Sequence, residues 1–125
     1  LVCCDTVVEG AVDRSIISPG VVIERGAIVR DSVVMHRCRI AGGAVVDRAI
    51  LDKDVRVGRE ARIGCGEAVP NRQHPHTLSS GVTVIGKGAR IPEGLRMGRG
   101  CIVYPDMREA NFARTEIASG SVVST

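Results

Sequence analysis

Asp13-Arg14-Ser15-Ile16-Ile17, Arg30-Asp31-Ser32-Val33-Val34 and Asp47-Arg48-Ala49-Ile50-Leu51 follow one another at intervals of seventeen residues, and each is a charged corner running into two residues of a strand. Outward from these corners the large aliphatics fall in register at Ile17, Ile23, Val29, then Val34, Ile40, Val46, then Leu51, Val57, Ile63. The steps are six, six and five, three times over. Four residues after the first two aliphatics of each coil stands a smaller partner: Val21, Ala27, Cys38, Ala44, Val55 and Ala61. A large and a small side chain per hexad fill a narrow triangular interior. Gly20, Gly26 and Gly43 sit in the bends, where a positive φ is needed and only glycine adopts it freely. Branching at Cβ suits valine and isoleucine to strands. Each hexad is therefore expected to be one short strand and one turn, and three hexads one coil. Stacked coils bury a continuous aliphatic column, so no coil folds alone. The expectation is one all-β domain over residues 1–125, a single-stranded parallel β-helix of hexapeptide repeats.

The period breaks at Gly64. Residues 65–83 are rich in proline, glycine and polar side chains and read as a loop thrown out from the helix. The hexads resume at Ile85, Ile91, Met97 and Val103, with Ala89, Leu95 and Cys101 as the small or medium partners. After Tyr104-Pro105 they fail again. Asp106–Glu116 carries a weak helical pattern, and Ile117–Val123 is expected to be a final strand. At the other end Val2, Val8, Val12 and Ile17 step by six, four and five, which predicts an atypical first coil.

Composition agrees with a thin core. There is no Trp, one Tyr (Tyr104) and one Phe (Phe112), yet the hydrophobic share is 44%. Aromatics supply the bulk of ordinary cores, and here they are nearly missing. The net charge is +3, and the cations are interleaved with acids. With only Tyr104 and Phe112 to stack bases, a nucleic-acid partner is not expected, whereas an anionic small molecule is compatible. The five cysteines, Cys3, Cys4, Cys38, Cys65 and Cys101, are odd in number and contain no C-x-x-C. They are expected to be small, buried, reduced thiols of a cytoplasmic protein rather than a disulfide scaffold or a metal site. No apolar run approaches the ~20 residues of a membrane span, and the start lacks the basic region and cleavage site of a signal peptide. The chain opens on Leu1-Val2, without Met and already inside the repeat. The expectation is a piece of a larger protein.

The run from Val84 to Cys101, preceded by Leu78–Thr83, is similar to the C-terminal domain of bacterial ADP-glucose pyrophosphorylases, the glucose-1-phosphate adenylyltransferases. So are Ser18–Ala27, Val46–Val55 and the loop opening at Pro70-Asn71. The resemblance covers nearly all of the chain. It implies a left-handed winding, which periodicity cannot set. It also implies a parent enzyme that makes ADP-glucose and pyrophosphate from ATP and glucose 1-phosphate, with Mg²⁺, for glycogen or starch synthesis. Such enzymes are tetramers whose N-terminal nucleotidyltransferase domain does the chemistry. Their C-terminal β-helix contributes to subunit contacts and effector control. This chain departs from the full enzyme by lacking a glycine-rich nucleotide loop and a recognisable set of metal-binding carboxylates, both of which that chemistry needs. The chain alone is therefore expected to be inactive, with no catalytic residue and no cofactor of its own.

The same resemblance singles out Lys87 as an effector-binding cation, with Arg90 and Arg72 assisting. An ammonium suits a phosphorylated or carboxylate effector. The residue before each inward aliphatic faces outward. In later coils these are Arg39, Arg56, Arg62, Arg90 and Arg96, and in earlier ones they include Val22, Ile28 and Val45, which are expected at an interface with another domain or subunit. The rival function is a hexapeptide acyltransferase using acetyl-coenzyme A, with His74 or His76 of the loop as the base. A metal centre of His36 with His74 and His76 is not expected, because alternating side chains of an extended segment point apart.

Overall fold

The computed structural model describes residues 6–66, 71, 73, 81–112 and 115–124. Short parallel strands form three sheets, which are the three faces of a solenoid. The first face holds β1 (Val7–Val8), β4 (Val22–Ile23), β7 (Arg39–Ile40), β10 (Arg56–Val57) and β13 (Arg90–Ile91). The second holds β2 (Ala11–Asp13), β5 (Ile28–Arg30), β8 (Val45–Asp47), β11 (Arg62–Ile63), β14 (Arg96–Met97) and β16 (Glu116–Ile117). The third holds β3 (Ile16–Ile17), β6 (Val33–Val34), β9 (Ala49–Leu51), β12 (Thr83–Ile85), β15 (Ile102–Val103) and β17 (Val122–Val123). The chain visits the faces in turn, so each strand pairs with the strand one coil away, as in Ile23 opposite Ile40 and Val29 opposite Val46.

Both interior registers are buried as the period requires. The large column from Ile17 to Val103 and its small partners, Val21 to Cys101, make one contiguous core. Adjacent strands lie ~4.8 Å apart, so each inward side chain stacks on its equivalents above and below. Each large aliphatic contributes ~1.5–3 kcal/mol when fully buried.

Gly20, Gly26 and Gly43 have φ of +78°, +83° and +74°, as their places in the bends required. A left-handed φ is also adopted by Arg37, Asp54, Glu60 and Asp106 in the equivalent bends of other coils, and by Arg14, Asp31 and Arg48 in the shortened corner. Side chains with a Cβ are disfavoured there. Four of these positions stack as two bidentate pairs: the Arg14 guanidinium donates to both carboxylate oxygens of Asp31 at 2.7 and 3.2 Å, and Arg37 to both of Asp54 at 2.8 and 3.2 Å. Inside the shortened corner a hydroxyl ladder closes the backbone. Ser32 N–H donates to Ser15 Oγ at 3.1 Å, Ala49 N–H to Ser32 Oγ at 3.1 Å, and Cys101 N–H to Thr83 Oγ1 at 3.3 Å.

The first coil is tighter than the rest, as its spacing suggests: Val8 pairs with Ile23 and Val12 with Val29, so a four-residue step still visits successive faces. Two expectations are revised. Among the described residues of 106–116 the only helical turn is the 3₁₀ turn Glu109–Asn111. That segment replaces a first-face strand, with Asp106 N–H donating to Lys87 O at 2.8 Å and Arg90 N–H to Met107 O at 2.7 Å, and the Met107 side chain buried. The expected final strand over 117–123 is two strands, β16 and β17, separated by a turn at Gly120 with φ +78°.

Candidate functional site

Lys87 lies on the corner between the third and first faces. The Gly88 N–H beside it donates to Lys53 O at 3.0 Å, and Asp54 N–H donates to His36 O at 3.0 Å. These bonds stack His36, Lys53 and Lys87 along one edge of the solenoid. The side chain of Lys87 is exposed. Arg37 holds the Asp54 carboxyl below the ordinary carboxylate range through its two hydrogen bonds, and Lys87 and Lys53 add to the effect. The edge thus carries cations from three coils together with carboxylates: Asp54, committed to Arg37, Asp52, which accepts from the Lys53 N–H, and Asp106, whose N–H donates to Lys87 O.

Arg90 follows on β13, facing outward from the first face. It is in register with Arg56, and Arg56 with Arg39. Like charges directly opposite one another on neighbouring strands are unfavourable. Arg39 is partly neutralised by Glu24 at 2.9 Å. Among the described residues Arg56 and Arg90 form no ion pair, so this half of the face keeps a positive potential that suits an anion. Lys87 and Arg90 are therefore brought to one corner and its adjoining face. Arg72, like His74, His76, Cys3 and Cys4, lies outside the described residues.

Lys53 and Arg56 also belong to this surface, and sequence reasoning did not select them. Lys53 and Lys87, like Arg56 and Arg90, are separated by thirty-four positions, twice the coil length, so the period itself carried the signal across the loop. Asn71 is another unselected residue. It is fully buried, its amide donates to Gly100 O at 2.9 Å, and its Oδ1 accepts from Gln73 N–H at 2.9 Å. Tyr104 Oη donates to Gln73 Oε1 at 3.1 Å. The loop that carries Arg72 is thus tied at these points to the coil following Lys87.

Of the residues expected at an interface, Ile28 and Val45 are cross-strand partners on the second face, whereas Val22 lies on the first. They do not form one surface. Cys38 and Cys101 are buried as expected, and burial pushes the Cys38 thiol up to about 11. Cys65 departs from the expectation of buried thiols. It is exposed, because the chain leaves the coil there. It lines an open cleft at the last coil together with Arg96, Glu116, Ser119 and Val122. Among the described residues no group of three His, Cys, Asp or Glu side chains gathers at metal-binding reach. None of the described helices is long and apolar enough to cross a membrane.

Three parallel faces, coils of two hexads and one shortened hexad, and a cationic edge define a hexapeptide-repeat β-solenoid. A family model described as "GlmU-like, C-terminal hexapeptide" matches residues 1–85, and the chain belongs to this family. It is 34% identical over 116 residues to a glucose-1-phosphate adenylyltransferase of Acetivibrio thermocellus, covering 93% of this chain and 27% of that protein. It is 45% identical over 96 residues to a glucose-1-phosphate adenylyltransferase of Thermomicrobium roseum, covering 76% of this chain and 22% of that protein. The chain thus spans about a quarter of the length of these curated relatives. Among solved structures, the acetyltransferase domain of PglB from Neisseria gonorrhoeae aligns over the whole chain and 54% of that domain, with 21% identity and a TM-score of 0.44. That likeness has no bearing on activity.

Proposed function

We propose that this chain is the C-terminal β-solenoid of a glucose-1-phosphate adenylyltransferase, where it supports oligomerisation and answers an anionic effector. The observation that carries this reading is the lopsided coverage: relatives of that name align with 93% of this chain but 27% of their own length. The parent joins ATP and glucose 1-phosphate into ADP-glucose and pyrophosphate on a separate nucleotidyltransferase domain, which also holds Mg²⁺. It works as a cytoplasmic tetramer. The effector is a small phosphorylated or carboxylate molecule that docks at Lys87 and Arg90, with Arg72 from the loop. A compact ammonium and a planar guanidinium on neighbouring positions suit an anion with several oxygens.

Two assays test this. The 125-residue chain, given ATP, glucose 1-phosphate and Mg²⁺, is expected to form no ADP-glucose, and turnover above a heat-killed control overturns the reading. Acetyl transfer from acetyl-coenzyme A by the same sample would favour the acyltransferase function instead. In the full-length parent, phosphorylated sugars and pyruvate are screened for activation. Lys87→Ala is then expected to raise the half-saturating effector concentration about tenfold, the worth of one charge-assisted contact, while unactivated turnover survives. An equal half-saturating value in both proteins removes Lys87 from the effector site.

A further inference from the structure

Tyr104 is the one tyrosine of the chain. It follows β15 and stands one coil beyond Gly86, the residue before Lys87. The corner it opens packs directly on that glycine: a Cβ on Gly86 would come within 2.5 Å of Pro105 N and 2.8 Å of the Tyr104 carbonyl carbon. Backbone bonds bracket Lys87 from the same side, Gly86 N–H donating to Val103 O at 2.7 Å and Asp106 N–H to Lys87 O at 2.8 Å. Tyr104 N–H donates in turn to Val123 O at 3.0 Å, so the backbone that bears the ring is fixed between two coils. The side chain is partly exposed, and its hydroxyl reaches a loop residue thirty-one positions away, donating to Gln73 Oε1 at 3.1 Å. Gln73 is tied back to Asn71, whose Oδ1 accepts its N–H at 2.9 Å and whose amide donates to Gly100 O and Ser121 O at 2.9 and 3.4 Å. The residue between these two tied positions in sequence is Arg72.

We propose that Tyr104 is a positioning residue for the effector site: through Gln73 it holds the loop, and with it Arg72, at the Lys87 corner. This rests on the effector reading above and names the contact that assembles that site. Lys87 belongs to the solenoid and is placed by backbone pairing on both sides. Arg72 belongs to an excursion that the repeat does not place. Asn71 anchors the loop at the corner between the second and third faces. One anchor alone leaves the chain free to pivot about it. Tyr104 supplies the second anchor, on the coil that stacks against Gly86 and Lys87. Fixing a binding segment before the ligand arrives takes the cost of ordering it out of the binding step.

The test is made in the full-length protein, with pyruvate and glucose 6-phosphate as probe anions. Spin-labelled side chains replace Arg72 and Lys53, and the distance between them is measured by pulsed electron resonance in protein diluted with unlabelled copies. One narrow distribution is expected, broadened by Tyr104→Phe and equally by Gln73→Ala, since each removes the same bond. In unlabelled protein Tyr104→Phe is expected to raise the half-saturating anion concentration about fivefold, the worth of one hydrogen bond. In an Arg72→Ala background the same substitution is expected to add nothing, because the residue it positions is gone. An unchanged distance distribution overturns the inference. So does a rise that persists beside Arg72→Ala, which marks Tyr104 as structural only. If Lys87→Ala raises the half-saturating concentration and Tyr104→Phe does not, the inference falls and the effector reading stands. If neither anion activates the wild type, both fall together.

Discussion

The coils before the loop and the coils after it share one interior column but close their corners differently. Before the loop, side chains with a Cβ, among them Arg14 with Asp31 and Arg37 with Asp54, share the left-handed corner positions with Gly20, Gly26 and Gly43, and all the described ion pairs lie in this part. After it, glycine takes the equivalent places at Gly88, Gly94, Gly100 and Gly120, with Asp106 the one exception among the described residues. The interior differs as well. The small column on the second face runs Ala27, Ala44 and Ala61 before the loop and Leu95 after it, all buried. A solenoid thus tolerates two solutions for a strained turn and two sizes for one interior site, provided that each coil fits the coil it stacks on.

The largest expected effects break the interior. Ala44→Phe forces a ring between Ile40 and Val46, where packing is close, and is expected to cost at least ~1–3 kcal/mol, up to loss of folding. Leu95→Ala is the converse, expected to cost ~2–5 kcal/mol through the cavity it leaves. Thermal melting reads both. If Leu95→Ala proves neutral, the later coils collapse onto smaller side chains and the interior difference is only apparent.

Removing a buried polar partner should cost less. Ser32→Ala leaves the Ala49 N–H without the hydroxyl that accepts it, an expected loss of ~1–3 kcal/mol. Asn71→Ala removes the donor to Gly100 O in the later coils, with a similar loss. Hydrogen exchange should separate the two, the first quickening Ala49 and the second quickening the amides around Gly100. Uniform quickening throughout the chain would mean that the two halves unfold as one unit.

The corners give the smallest effects and the sharpest contrast. Gly88→Ala places a Cβ at φ +75° and beside Asp106 Oδ1 at 2.5 Å, an expected cost of ~1–2 kcal/mol. Arg37→Gly removes an ion pair but also the left-handed strain, and should move the melting midpoint least of all. Asp31 and Asp54 are both held below their ordinary value of 3.8, chiefly by hydrogen bonds from Arg14 and Arg37. A depressed carboxylate adds its stability above the unfolded value and loses it as pH falls through the folded one. Acid weakening of the early corners should therefore begin only below about pH 3.8, and it should vanish in a variant carrying both Asp31→Asn and Asp54→Asn. An identical acid profile in that variant would show that the pairs are decorative.

The sequence by itself determined which residues point inward, the seventeen-residue coil and the place of the loop. Those follow from a local period, and the period persists because neighbouring coils leave room for only one large and one small side chain per hexad. It also placed Lys87 and Arg90 in one hexad. Only the tertiary structure showed that Val22 and Val45 lie on different faces, that Asn71 is buried against Gly100, and that Met107 fills a space where a strand was due. Burial of Asn71 depends on where a non-repeating loop returns, and Met107 on how the chain closes a coil with no aliphatic hexad left to spend. The stacking of Lys53 beneath Lys87 lies between these cases. The excursion adds one full coil length, so the register survives it, but only the paired backbone shows that the chain rejoins the solenoid in phase.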